Sequence, residues 1–147
     1  MKITEALTAE HAVFFAQLDQ LEKTMGAHQT LAELKAVSAL LAAALQTHAG
    51  LEDDLLFAAL EHCLDQMGKL ETVHHDHDAI LDSLSRIQTA RTRAEAQRHL
   101  HRVIQLARHE FDLEERIIFP LAEGVLRADT LAKLGKAWAR QRGVIVR

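Results

Sequence analysis

Two stretches of this chain echo one another, and each begins with a histidine followed about one helical turn later by a glutamate. His48-Ala49-Gly50-Leu51-Glu52 answers His109-Glu110-Phe111-Asp112-Leu113-Glu114, and both run on into an acidic-then-apolar segment ending in Phe57 and Phe119. Thr30 and Thr92, Glu52 and Glu114, and Phe57 and Phe119 all share an offset of 62 residues. A second echo relates Glu10-His11-Ala12-Val13-Phe14 to Asp76-His77-Asp78-Ala79-Ile80 at an offset of 66, which places the additional residues in turns. A chain built from one repeated pair of segments, each unable to bury its apolar face alone, must fold by packing the copies on each other.

The segments are helical. Six glycines and one proline among 147 residues, with Leu and Ala leading a 48% apolar fraction, leave few turn formers or strand formers. The pattern predicts a first helix from about Thr8 to Met25, with Gly26 as its C-terminal cap. Thr30 and Glu33 have capping-box spacing and open a second helix ending near Leu64. Gly68 marks the next turn, and a third helix runs to about Thr89. Thr92 and Glu95 repeat the capping box and start a fourth helix, which Pro120 ends or bends. A fifth, from about Asp129 to Arg140, is amphipathic through Leu131, Leu134 and Trp138. Short connections favour antiparallel neighbours, so the expectation is an all-α fold: an up-down-up-down four-helix bundle with a pseudo-twofold repeat and a short C-terminal fifth helix, in one domain spanning 1–147.

Ionisable groups fall on the apolar faces of these helices. At about 100° per residue, His11 shares a face with Leu7, Phe14 and Leu18. His77 lies between Leu70, Val73, Ile80 and Leu84. His48 and Glu52 lie about 40° apart on the face carrying Leu41, Leu55 and Ala59. Several imidazoles and carboxylates converging in a small core would normally unfold it, because each costs several kcal/mol to bury without a partner. Metal ions remove the difficulty, since they require deprotonated nitrogen and oxygen donors and bring compensating charge. His74, three residues before His77, is a candidate for a further nitrogen donor. His28, His62, His75, His99 and His101 fall in loops, on outer faces or too far away.

Other classes are disfavoured. The formal charge is −4 and no basic run suggests nucleic-acid binding. The N-terminus lacks the apolar core of a signal peptide, and Ala36 to Leu45 is too short to span a bilayer. With one cysteine, Cys63, expected buried or half-buried, the chain reads as a cytoplasmic protein with no membrane partner. A weakly basic fifth helix could cover the bundle end, dimerise or meet an acidic partner.

These residues resemble the hemerythrin-like, or HHE cation-binding, domain family, to about Gly124. The resemblance rests on an inward histidine on helix one, HxxxE on helix two, a histidine on helix three and a histidine–carboxylate pair on helix four, together with endings similar to the family's EExxxFP run. It implies an oxo- or hydroxo-bridged pair of iron ions, with His11, His48, His77 and His109 as terminal ligands and Glu52 and Glu114 as bridging carboxylates. His74 would stand where some members carry an extra third-helix histidine, although HxxH here replaces their HxxxH. Histidine and carboxylate without thiolate suit Fe, Mn or Zn, and the resemblance selects iron. The function it implies is binding or sensing of dioxygen, nitric oxide or peroxide. A di-iron enzyme decomposing peroxide or reducing nitric oxide, and an iron donor or store, are the alternatives. The chain has no tyrosine for a tyrosyl relay.

The fourth helix departs from simple spacing. His109 and Glu114 are five residues apart, about 140° on an ideal helix, while Glu110 lies near the centre of the face made by Val103, Leu106, Leu113 and Ile117. A π-type irregularity between about Arg108 and Glu114 would bring His109 and Glu114 together. A regular α-helix there would make Glu110 the better carboxylate.

Overall fold

The computed structural model describes residues 1–26, 29–61, 63 and 67–145, with side chains described throughout except at 67–75. The described residues are almost all helical and include no strand. Helix α1 spans Ile3–Thr24. Next, α2 (Leu31–Leu51) passes through a π-helical turn, Glu52–Phe57, into α3 (Ala58–Glu61). Helix α4 covers Met67–Thr89. After it, α5 (Arg93–Leu113) passes through a second π turn, Glu114–Ile118, into α6 (Phe119–Val125). The last helix, α7, is Ala128–Gln141. Five rods result, none long and apolar enough to cross a membrane among the described residues.

The caps explain where the rods begin. Thr30 Oγ1 accepts from Glu33 N at 3.1 Å, and Thr30 N donates to Glu33 Oε2 at 2.9 Å, completing the capping box. Thr92 accepts from Glu95 N at 3.2 Å, but the Glu95 carboxylate turns to Arg91 N instead. Helix α1 starts five residues earlier than its apolar pattern suggests, because Lys2 N donates to Glu5 Oε2 at 2.8 Å and so supports an extra turn. The end expected near Leu64 lies outside the described residues, as do His28 and His62. Cys63, expected at least half-buried, is exposed.

Each π turn displaces the buried face by one residue. Ala58 N bonds to Asp53 O and Phe119 N to Glu114 O, five residues back, so each turn holds one residue more than an α-helix. Leu55 and Ala59, expected to share the inner face, are therefore only half-buried, and Leu56, Phe57 and Leu60 take their place. Ile118 and Phe119 are buried in the second copy, and Ile117 is exposed. The second π turn lies immediately downstream of the segment where an irregularity was expected, and the first was not anticipated. Pro120 does not stop its rod: it sits in the first turn of α6, directly after the widened segment.

Packing places a polar layer between two apolar halves. One apolar cluster contains Ile3, Leu7, Leu56, Phe57, Leu60, Ile118, Phe119, Leu131 and Trp138. The other contains Phe14, Leu18, Leu34, Leu84, Ile87, Leu100, Ile104 and Phe111. Between Leu7 and Phe14 lies His11; between Phe111 and Ile118 lies Glu114; between Leu45 and Leu56 lie His48 and Glu52. Helix α7 lies against α1, and a Cβ on Gly135 would stand 3.0 Å from the Lys2 carbonyl carbon and 3.2 Å from Ile3 N. Only a glycine permits that close backbone approach.

Candidate metal centre

Six side chains from four rods meet in the polar layer: His11 of α1, His48 of α2, Glu52 of the first π turn, His77 of α4, Glu110 of α5 and Glu114 of the second π turn. All six are buried, and His11, Glu52 and Glu114 are 0% exposed. His11 Nε2 and His48 Nε2 are 3.1 Å apart. Glu52 Oε1 lies 3.2 Å from His48 Nε2 and 3.5 Å from His11 Nε2, while its Oε2 is 3.7 Å from His77 Nε2. Glu114 does the same in mirror fashion, with Oε2 3.1 Å from His11 Nε2 and Oε1 3.9 Å from His77 Nε2. Glu110 pairs with His77 Nε2. Both central glutamates thus face two groups of donors at once, and the sets His11–His48–Glu52–Glu114 and His77–Glu110–Glu114 share Glu114.

Outer carboxylates fix which imidazole nitrogen faces inward. His48 Nδ1 donates to Glu10 Oε2 at 2.6 Å, and His11 Nδ1 lies 3.0 Å from Glu115 Oε1. An imidazole that spends its proton on the outer partner presents a bare lone pair at Nε2. The ring planes are held as well: His11 stacks between Phe111 and Phe119, at centroid distances of 4.3 and 5.4 Å, and Phe14 packs edge-on against His48 at 5.1 Å.

The consequence is a cage of acceptors with few donors. Both oxygens of Glu52, both of Glu114 and Oε1 of Glu110 are buried without an aligned hydrogen bond. Orphaned carboxylate oxygens beside imidazole lone pairs would each carry a large desolvation penalty. The same arrangement suits divalent or trivalent cations of intermediate hardness, so the residues fit a metal centre.

Electrostatics within the polypeptide point the same way. Burial pushes the Glu114 carboxyl up, and the neighbouring charges of Glu52 and Glu110 push it further, well above the usual range. Burial also raises Glu110, more than the neighbouring His77 imidazole lowers it. Burial opposes charge on Glu52, but His48 and His11 outweigh it and hold that carboxyl down. Burial would lower His48, yet Glu52 and Glu10 raise it to about 9. His77 is raised against burial by Glu110, Glu52 and Asp53. Protons fill the electrostatic role that a cation would take.

The sequence model of the hemerythrin HHE cation binding domain matches residues 2–122. This chain belongs to that family. No curated protein and no solved structure gives a significant match. For an HHE domain the correspondence with the residues singled out by sequence is close but not complete. His11, His48, Glu52, His77 and Glu114 converge. The side chain of His74 lies outside the described residues. His109 does not join the cluster: it is exposed, because α5 stays regularly α-helical to Leu113 and the widening begins only at Glu114. Glu110 occupies the inward position instead.

The HHE repeat itself carried the signal for Glu110. The offset of 62 that relates Glu52 to Glu114 also relates His48 to Glu110, so the second copy reads ExxxE where the first reads HxxxE. Glu10 and Glu115 were not assigned by periodicity, since outer partners of a ligand lie off the apolar stripe. His99 is half-buried and His101 exposed, and neither approaches the cluster.

Proposed function

We propose that this HHE domain holds two iron ions, one among His11, His48, Glu52 and Glu114 and the other among His77, Glu110, Glu52 and Glu114, and that it binds or senses dioxygen or a related small oxidant there. The observation that carries the reading is the double facing of Glu52 and Glu114, each with one oxygen toward His11 and the other toward His77. Carboxylates so placed bridge ions roughly 3.5–4 Å apart. His74 is proposed as a further nitrogen donor from its place one turn before His77 on α4. The rods are proposed to run up-down-up-down within a single domain, as the short connections favour.

When bound, a di-iron pair supplies electrons and open coordination positions for a diatomic ligand. The chain's residues shape what reaches those positions. A cavity of about 20 Å³ abuts the cluster, lined by Leu45, Ala49, Ile80, Leu81 and Phe111 together with His48, His77 and Glu110 of the cluster itself. That volume accommodates a single water-sized or diatomic molecule and little else. Its largely apolar walls keep bulk water away from a bound molecule, which favours reversible binding over turnover.

Metal analysis combined with an optical spectrum, on protein purified with and without air, tests this. Two irons per chain and a near-ultraviolet band that depends on air are expected. Folded, metal-free protein indifferent to ferrous salt overturns it. A stable oxygenated adduct supports binding or sensing, rapid peroxide consumption an enzyme, and ready loss to chelators an iron donor.

A further inference from the structure

Helix α7 lies beyond the matched residues 2–122, yet it reaches the metal centre through one carboxylate. Glu10 Oε1 accepts from Trp138 Nε1 at 2.7 Å and from Arg142 Nε at 2.6 Å. Glu10 Oε2 accepts from Arg142 Nη2 at 2.8 Å and, on its inner side, from His48 Nδ1 at 2.6 Å. Four donors therefore converge on a carboxylate whose side chain is only 14% exposed.

We propose that Arg142 and Trp138 are positioning residues of the metal centre, acting through Glu10 to aim the imidazole of His48. The inference rests on the proposed di-iron reading and adds a control element outside the matched domain. A guanidinium gripping both carboxylate oxygens fixes the plane of that carboxylate, and a single contact would leave it free to rotate. With Glu10 fixed, the His48 ring has one orientation, because Nδ1 is pinned outward and Nε2 lies across the ring from it. The end of α7 sets Arg142 in place: Gly143 takes the left-handed conformation at φ 66°, and Val144 N bonds back to Ala139 O at 2.8 Å. Glu115, which partners His11, is by contrast one-third exposed. The same ion thus meets one rigidly held imidazole and one whose outer partner reaches solvent.

The test is loss of ferrous iron from the anaerobically loaded full chain to a chelator, followed beside the optical spectrum. Arg142→Ala should release one equivalent roughly tenfold to a hundredfold faster, leaving the other near the wild-type rate. Arg142→Lys should recover part of the difference, and Trp138→Phe, which keeps the ring and loses the donor, should show a smaller acceleration. Leu131→Val, in the same helix but away from Glu10, should lower the melting temperature without changing either release rate. Wild-type rates in Arg142→Ala, equal acceleration of both equivalents, or equal acceleration by Leu131→Val would overturn the positioning role alone. Wild-type protein that takes up no iron would overturn the di-iron reading with it.

Discussion

Glu52 and Glu114 each occupy the first position of a π-helical turn, 62 residues apart, and each directs one carboxylate oxygen toward His11 and the other toward His77. A one-residue widening beside a buried ligand re-aims everything downstream of it, which is a recurrent use of π turns at functional sites. Here it lets a glutamate point into the polar layer while the following pairs, Leu56–Phe57 and Ile118–Phe119, both return to the apolar half below. The repeat is therefore a repeat of the irregularity as well as of the residues.

Glu52→Ala should lower metal content and stability together. The metal-loaded wild type gains about 4 kcal/mol when free metal stands a thousandfold above its dissociation constant. Most of that gain should vanish in the variant, whereas the metal-free forms should differ much less. Metal stoichiometry with denaturant melts of both forms checks this, and unchanged occupancy would count against the bridging role.

His109 and Glu110 separate two registers of α5. His109→Ala should leave metal content and melting temperature within experimental error, since the side chain is exposed. Glu110→Ala should lose the ion on the His77 side and keep the one on the His48 side. The opposite result would show that the inward face passes through His109.

Much of this layout is legible in the sequence, and most of what is not turns on where the helical step departs from 100°. Helical periodicity assumes a constant 100° step, so it puts His11, His48, Glu52 and His77, which no π turn precedes within their rods, on faces that are buried. It then misjudged Leu55, Ala59 and Ile117, which follow a widening that no propensity scale registers. For His109 the difficulty is reversed: its spacing to Glu114 calls for a widening that α5, regular to Leu113, does not have, and the straight helix turns Glu110 inward. Glu10, Glu115 and Arg142 lie outside any apolar stripe, and only three-dimensional proximity connects them to the centre.

Acid and base should act in opposite senses on the metal-free and metal-loaded protein. His48 is raised from 6.5 to about 9, so its contribution to metal-free stability is full below 6.5 and lost as pH rises through 9. His77, Glu110 and Glu114 are also raised and add the same sign over their own ranges. Glu10, held down to about 2, contributes the other way, with stability present above its ordinary 4.5 and lost as pH falls. Metal must displace the protons that the raised groups retain, so apparent affinity should climb with pH. Between pH 6.5 and 9 the melting temperature of the metal-free form should fall, and the increment added by metal should grow. Metal binding at pH 7 should release protons measurable with an indicator dye; binding without proton release would contradict the assignment of these groups as ligands.

Filling the small cavity should separate ligand access from metal retention. Ala49 lines it beside His48 and Leu45 without belonging to the donor set. Ala49→Val adds two methyl groups, roughly twice a methylene's volume, to a space of about 20 Å³. The β-branch costs the helix only about 0.5 kcal/mol, so folding and iron content should survive. Reaction of the ferrous protein with air, followed by stopped-flow absorbance, should slow by about tenfold or more, which corresponds to about 1.4 kcal/mol of added barrier. A loaded variant that reacts at the wild-type rate would mean that small oxidants reach the His77–Glu110 side by another route, and that the apolar walls of Leu45, Ala49 and Leu81 do not gate it.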